Sequence, residues 1–408
     1  MRWLYSDPTV ETEVRFRQEK LAQIDAWWAA FQANENRLSD LFAGRDQWDL
    51  ADWMTRHLGA IDERLMWEFG PAVSGGGHRL VITPEAHRFL RPLLNTLIEK
   101  APALDGWEFF SYRIPCQNIG DVASVLDAKS GANVDEFSAT ATIGEFGKID
   151  LVFYCQRFHD QPDHEDDIAD ALIATESTLG ERTLDVWIGE LHTSDGDKPS
   201  FIARLLGAVE GPPKDAVPLP QLKGCVDSLI AELAARCSEL PLFRTLEERE
   251  WGTIRLQPPE LDQHFGRTDL LLCVSGALDI WNVAHSSFIF DSSCFSNHGE
   301  IFCYLKIATP EGPTQENGQV RARIEDELTE MLVEKSLGCS IGGGAGDAHA
   351  YVDLALLDVE RAIPPIRELL LRHGVDRSSW LLFFDDHLAE EWIGIYEDTP
   401  EPALQPQA

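Results

Sequence analysis

The chain is short of positive charge: 34 Lys and Arg stand against 69 Asp and Glu, a formal net charge of −35 over 408 residues. Such a surface repels phosphate backbones and anionic headgroups, which argues against nucleic acid and membranes as partners and leaves a basic protein or a cation. Paired cysteines are missing as well. Eight cysteines are scattered without a single C-x-x-C, and Cys155 (in LVFYCQ) and Cys303 (in IFCYLKI) sit inside apolar runs, where a thiol behaves as a small hydrophobe. That usage speaks against a disulfide framework and for a reducing compartment, so a cytoplasmic location is expected. No run is apolar enough to span a bilayer, and the opening MRWLYSDPTVETEV lacks a signal core.

Catalytic signatures are equally scarce. There is no G-x-S-x-G elbow and no H-E-x-x-H. The stretch Cys339–Asp347 is rich in glycine but lacks the lysine and hydroxyl of a phosphate loop, and it leads into a strand rather than a helix N-terminus. Gly342–Gly346 therefore reads as a flexible or bulged connection between strands. No catalytic residue and no cofactor are assigned.

What the chain does have is periodicity. Residues 8–43 and 47–65 space Trp27, Trp28, Phe31, Trp48 and Trp53 at helical intervals, predicting two amphipathic helices packed on something else. From 66 to 191 the pattern predicts strand 78–83, a helix opened by Thr83-Pro84-Glu85, strands 107–114, 134–143 and 148–156, a helix near 166–178, and a last strand to 191. Residues 192–220 are rich in Pro, Gly and Asp and read as a linker. In the region 221–395, residues 300–385 run strand, helix, strand, glycine-rich connection, strand, helix, strand, the order of a split β-α-β unit. Residues 396–408 read as a disordered tail. The expected fold class is α+β, with two ferredoxin-like (βαββαβ-type) antiparallel sandwiches, 66–191 and the end of 221–395, preceded by a helical lead over 1–65.

The W-E-F-G of residues 67–70, the Ala101–Trp107 turn (A-P-x-L-x-G-W) and the Leu179–Glu181 turn resemble an uncharacterised bacterial family of α+β proteins over roughly 60–191. Relatives of this architecture are similar to small bacterial regulators, including the protein regulator of ribonuclease E, and to toxin-neutralising immunity proteins. The resemblance implies the fold and carries no catalytic residues with it.

Two acidic clusters could carry chemistry. His159, Asp163, His164, Glu165 and Asp166 offer imidazoles and carboxylates to a divalent cation, although their spacing matches no ligand framework. The acids Asp163, Glu165, Asp166 and Asp167 equally suit a helix N-terminus or the contact face for a basic partner. Asp385, Asp386, His387, Glu390 and Glu391 follow a buried strand, where His387 could serve as a base. The leading expectation is a non-enzymatic interaction or regulatory protein, of immunity type, that binds a basic protein. The alternative is a metal-dependent hydrolase using 159–167 or 385–391.

Overall fold

Ile24, Trp27, Trp28 and Phe31 line the buried side of one long helix, α1 (Glu11–Phe42), in the computed structural model of the protein. The structure describes residues 2–155, 157–158, 165–194, 211–259, 265–309 and 312–404. Helix α2 (Leu50–His57) begins where the Asp49 carboxylate accepts the Asp52 N–H, and strands β1 (Met66–Pro71) and β2 (His78–Thr83) follow. Thr83-Pro84 does not open the next helix. Helix α3 (Arg91–Glu99) starts later, with Pro92 in its first turn, where a missing N–H leaves no bond unmade.

The chain divides into two compact units that are not contiguous in sequence. One holds residues 1–64, 84–100 and 237–408; the other holds 65–83 and 101–236. The break at 64/65 falls beside the expected boundary at 65, whereas 191 and 220 lie inside one unit and 84–100 crosses to the other, because backbone pairing and apolar contacts join segments far apart in the chain.

In the second of these units β1 and β2 pair antiparallel, and β3 (Trp107–Phe110) joins β2 in parallel. Helix α4 (Ile119–Ser130), capped by Asn118 and closed by Gly131 at φ 66°, was not foreseen between the strands. Strands β4 (Ser138–Ile143) and β5 (Ile149–Tyr154) form the expected antiparallel pair across the turn at 144–148. Helix α5 (Glu165–Leu179) precedes a second helix, α6 (Glu181–Trp187), where a strand had been expected. Strand β6 (Ile188–Ser194) then pairs with β5 in parallel. Strand β7 (Val217–Pro218) completes a four-stranded sheet in the order β6-β5-β4-β7, and helix α7 (Leu219–Arg236) contributes Leu219, Leu222 and Val226 to the same core. The strands of 66–191 are thus shared between two small sheets, each with one parallel pair, rather than forming one antiparallel sheet. The Leu179–Glu181 turn has a structural role: the Glu181 carboxylate accepts the Thr83 hydroxyl and the Arg113 N–H, tying three segments together.

In the other unit, strands β8 (Gly252–Arg255) and β9 (Leu270–Ser275), helix α8 (Leu278–Ala284) and β10 (Ile301–Ala308) lead into α9 (Gln315–Glu334). Then come β11 (Gly338–Gly346), β12 (His349–Leu356), α10 (Val359–Arg372), β13 (Ser379–Phe383) and β14 (Trp392–Gly394). Seven strands form one sheet in the order β14-β13-β10-β12-β11-β9-β8, every pair antiparallel. Helices α9 and α10 cover one face through Ile324, Leu328, Ile366 and Leu370, which meet Leu305, Val352, Leu354 and Leu381.

The glycine-rich stretch is not a connection but a buried central strand, with a register shift between Ser340 and Gly342. Its glycines make room on a crowded strand. A side chain at Gly343 would put Cβ 2.7 Å from Arg321 Nη1 and 2.3 Å from the Tyr351 carbonyl oxygen.

Residues 1–64 belong to this unit and pack within it. Trp27 packs 5.3 Å from Trp53, and Trp28 Nε1 donates to the Leu97 carbonyl at 2.8 Å. Arg2 lies 3.6 Å over the Trp392 ring and donates to both oxygens of Glu13. Among the described residues no helix is long and apolar enough to cross a membrane.

Candidate functional site

Strand alternation decides what the uncovered face of the seven-stranded sheet carries. Cys303, Leu305 and Ile307 point to the helices, so Tyr304 and Lys306 point the other way. Register then sets Asp353 opposite Tyr304, and both Tyr351 and Trp380 opposite Lys306. This face is aromatic and charged, and Leu256, Trp281 and Leu404 pack against it.

Two buried charge groups occupy it. The Arg267 guanidinium has a side chain only 5% exposed, sits 3.0 Å from Asp353, and lies 5.4 Å from the ring centres of Tyr304, Tyr351 and Phe384. The ion pair is close but not aligned as a hydrogen bond, and Arg267 Nε and Nη1 have no acceptor. Burial pushes the Asp353 carboxyl upward, opposed by the Arg267 charge. The second group centres on Asp269, which accepts the Ala348 and His349 N–H groups, His349 Nδ1 at 3.1 Å, and the Tyr351 hydroxyl. Burial alone would raise its pKa, but these bonds hold it well below the carboxylate range. Burial lowers Lys306 to about 8, with Asp269 opposing.

Beside this face lies a cavity of about 490 Å³, in the size range of small-ligand pockets. Its walls come from the 265–268 loop, the end of α8 with 285–290, Tyr304, and the segment following β13. His285 stacks on Trp281 at 4.1 Å, and its Nδ1 is 2.8 Å from the Trp281 carbonyl oxygen. A carbonyl can only accept, so Nδ1 carries the hydrogen and Nε2 is left as an acceptor. Desolvation of the ring, helped by the Arg267 charge, shifts the His285 pKa downward, while the bond to the Trp281 carbonyl opposes the shift. Sequence reading passed over Arg267 and Asp269 and set His285 aside as isolated, because no local motif marks these residues and only the fold brings them near the sheet and the cavity.

Asp385, Asp386 and Glu391 also border this cavity, and each accepts backbone N–H groups. Ser292 donates its N–H (2.6 Å) and hydroxyl (2.5 Å) to Asp385, and Asp386 accepts the Phe290 N–H. Glu391 accepts the N–H groups of Trp3, Leu4 and Tyr5. Asp385 is raised to about 6 by burial, against His387 and the Ser292 bonds. His387 Nδ1 stands 4.0 Å from Asp385, too far for a hydrogen bond.

Of the other cluster, His159, Asp163 and His164 lie outside the described residues. Glu165 and Asp166 are exposed in the first turn of α5, whereas Asp167 is buried and so does not present its side chain to solvent. Among the described residues no group of three or more His, Cys, Asp or Glu is placed to hold a metal ion. The chain matches no protein-family model, no curated protein and no solved structure.

Proposed function

We propose that the protein acts by binding rather than by catalysis, as an acidic interaction or regulatory protein, of immunity type, that engages a basic protein. The observation that carries this reading is the division of its carboxylates. Buried ones, Asp269, Asp385, Glu391 and Glu181, each hold backbone N–H groups, which fixes loops and leaves little room for proton transfer to a substrate. Other acids, such as Glu165, Asp166, Asp326, Glu330 and Glu334, are exposed and contribute to a net charge of −35. Charge of that sign accelerates encounter with a basic protein and rejects acidic ones.

Two finer points belong to the same reading. The order β13-β10-β12-β11 with α9 and α10 on one face supports a ferredoxin-like assignment for the C-terminal sandwich. The resemblance of 60–191 to a bacterial α+β family fits a regulatory role. The competing hydrolase would need free carboxylates at 385–391, or a metal held by 159–167.

The test is the association rate with a basic protein captured from the native source. Raising ionic strength from about 0.05 to 0.5 M shortens the screening length roughly threefold, and association is expected to slow more than dissociation quickens. An association rate indifferent to salt would overturn the electrostatic reading. One equivalent of bound metal, lost in a His159→Ala/His164→Ala variant, would replace it with the hydrolase.

A further inference from the structure

We propose that the outer edge of β8 pairs with the same edge of a second copy of this chain, as an antiparallel two-fold ribbon centred on Thr253. The seven-stranded sheet ends in β14 on one side and in β8 on the other. At β14 the outward carbonyls are occupied. Arg2 Nη1 donates to the Trp392 carbonyl and Arg367 Nε to the Gly394 carbonyl, each at 2.9 Å. Guanidinium groups seated on an edge keep it from taking another strand. At β8 the edge is open. Just past its end, the Leu256 N–H donates to the Leu271 carbonyl at 2.9 Å. Even-numbered residues of β8 therefore turn their backbone groups toward β9, and Trp251, Thr253 and Arg255 turn theirs outward. Among the described residues nothing bonds to those outward groups.

The side chains select the occupant. Alternation puts Trp251, Thr253 and Arg255 on one face, and all three are exposed, Trp251 by 50%. The Trp251 ring lies over Gly276, whose missing Cβ would come within 3.2 Å of it. Arg255 has no carboxylate or ring partner among the described residues. In an antiparallel ribbon an outward-facing residue meets an outward-facing one. The two-fold register that engages all three sets Thr253 opposite Thr253 and Trp251 opposite Arg255 on both sides of the axis. An unpaired cation then meets a half-exposed ring twice, and threonine meets threonine, both favourable cross-strand pairs. A foreign strand would have to bring this pattern, whereas a second copy supplies it by symmetry. A strand of four residues buries little area, and two chains of charge −35 repel, so the association is weak, reversible and favoured by salt.

This goes beyond the basic-partner reading and does not rest on it. Sedimentation velocity of the full chain in about 0.5 M salt, at about 10–500 µM, should show a monomer–dimer equilibrium. Thr253→Pro removes the central outward N–H without touching a bond to β9, and should weaken dimerisation about tenfold or more. Trp251→Arg sets arginine against arginine twice and should weaken it about tenfold as well. Adding Arg255→Trp to that variant recreates both Arg–Trp pairs in swapped order and should restore association. Leu371→Lys, at an exposed position of α10, is the control expected to change nothing. A chain that stays monomeric throughout would leave the edge to a strand of another protein and overturn the inference. So would a dimer that survives both Thr253→Pro and Trp251→Arg with unchanged unfolding midpoints, or one lost in Trp251→Arg and not regained in a folded double variant. Because salt favours this contact and slows encounter with a basic partner, the two readings fail separately.

Discussion

Removing the Glu391 carboxylate should release the N-terminal strap. In the native protein this one side chain accepts the N–H groups of Trp3 at 2.7 Å, Leu4 at 3.0 Å and Tyr5 at 3.0 Å. Each bond to a charged acceptor contributes about 1.5–3 kcal/mol, so three donors left buried without a partner would cost roughly 5–9 kcal/mol. The strap has an easier escape. If residues 2–7 detach, their amides regain water, and what is lost is the burial of Trp3, about 1.5–3 kcal/mol, together with the Arg2 bonds to Glu13. Glu391→Ala is therefore expected to destabilise by about 2–4 kcal/mol, limited by detachment. Glu391→Gln keeps one carbonyl oxygen and should cost about half as much, on the order of 1–2 kcal/mol. Urea unfolding gives the stability change, and amide hydrogen exchange locates it. Protection at Trp3, Leu4 and Tyr5 should collapse in the alanine variant while core strands such as β10 and β12 keep theirs. Unchanged exchange at residues 3–5 would refute the assignment of Glu391 as the anchor.

Gly343→Ala should destabilise by about 2 kcal/mol or more through overpacking, because the new Cβ would lie 2.3 Å from the Tyr351 carbonyl oxygen. Gly75→Ala, with no atom within 4 Å, should leave the thermal midpoint nearly unchanged and serves as the control. Asp385 gives a signed pH dependence. Its pKa rises from 3.8 to about 6 on folding, so between those values the native state binds more protons than the unfolded chain. The stability from this group is present in full below about 3.8 and is lost as pH rises through 6, by about 3 kcal/mol in total. Unfolding free energies of wild type minus Asp385→Asn, measured from pH 4 to 8, should follow that curve; a flat difference would contradict it.

The C-terminal half was the more legible part of this chain. Strand alternation at 301–308 and helical spacing of Ile324, Leu328 and Leu332 are local periodicities, and they survive into the fold because the helix-covered face selects them. Even there, Gly342–Gly346 looked like a connection between strands. Intrinsic preference disfavours glycine in strands, and only the approach of Arg321 across Gly343 and of Leu270 across Gly344 makes bare backbone the fitting choice. In 66–191 the antiparallel β4–β5 pair was visible, but the parallel partners were not. Parallel pairing of β2 with β3 and of β5 with β6 is set by long-range packing, on which local pattern is silent. The acids of 385–391 were equally ambiguous, since a carboxylate reads the same whether it faces a substrate or three backbone amides. Composition by itself determined the net charge and the scattered thiols. Tertiary structure alone decided that Arg267, Asp353 and Asp269 share one buried face beside a cavity. Their meeting depends on strand order and on which side of each strand a residue projects, and those are properties of the assembled sheet.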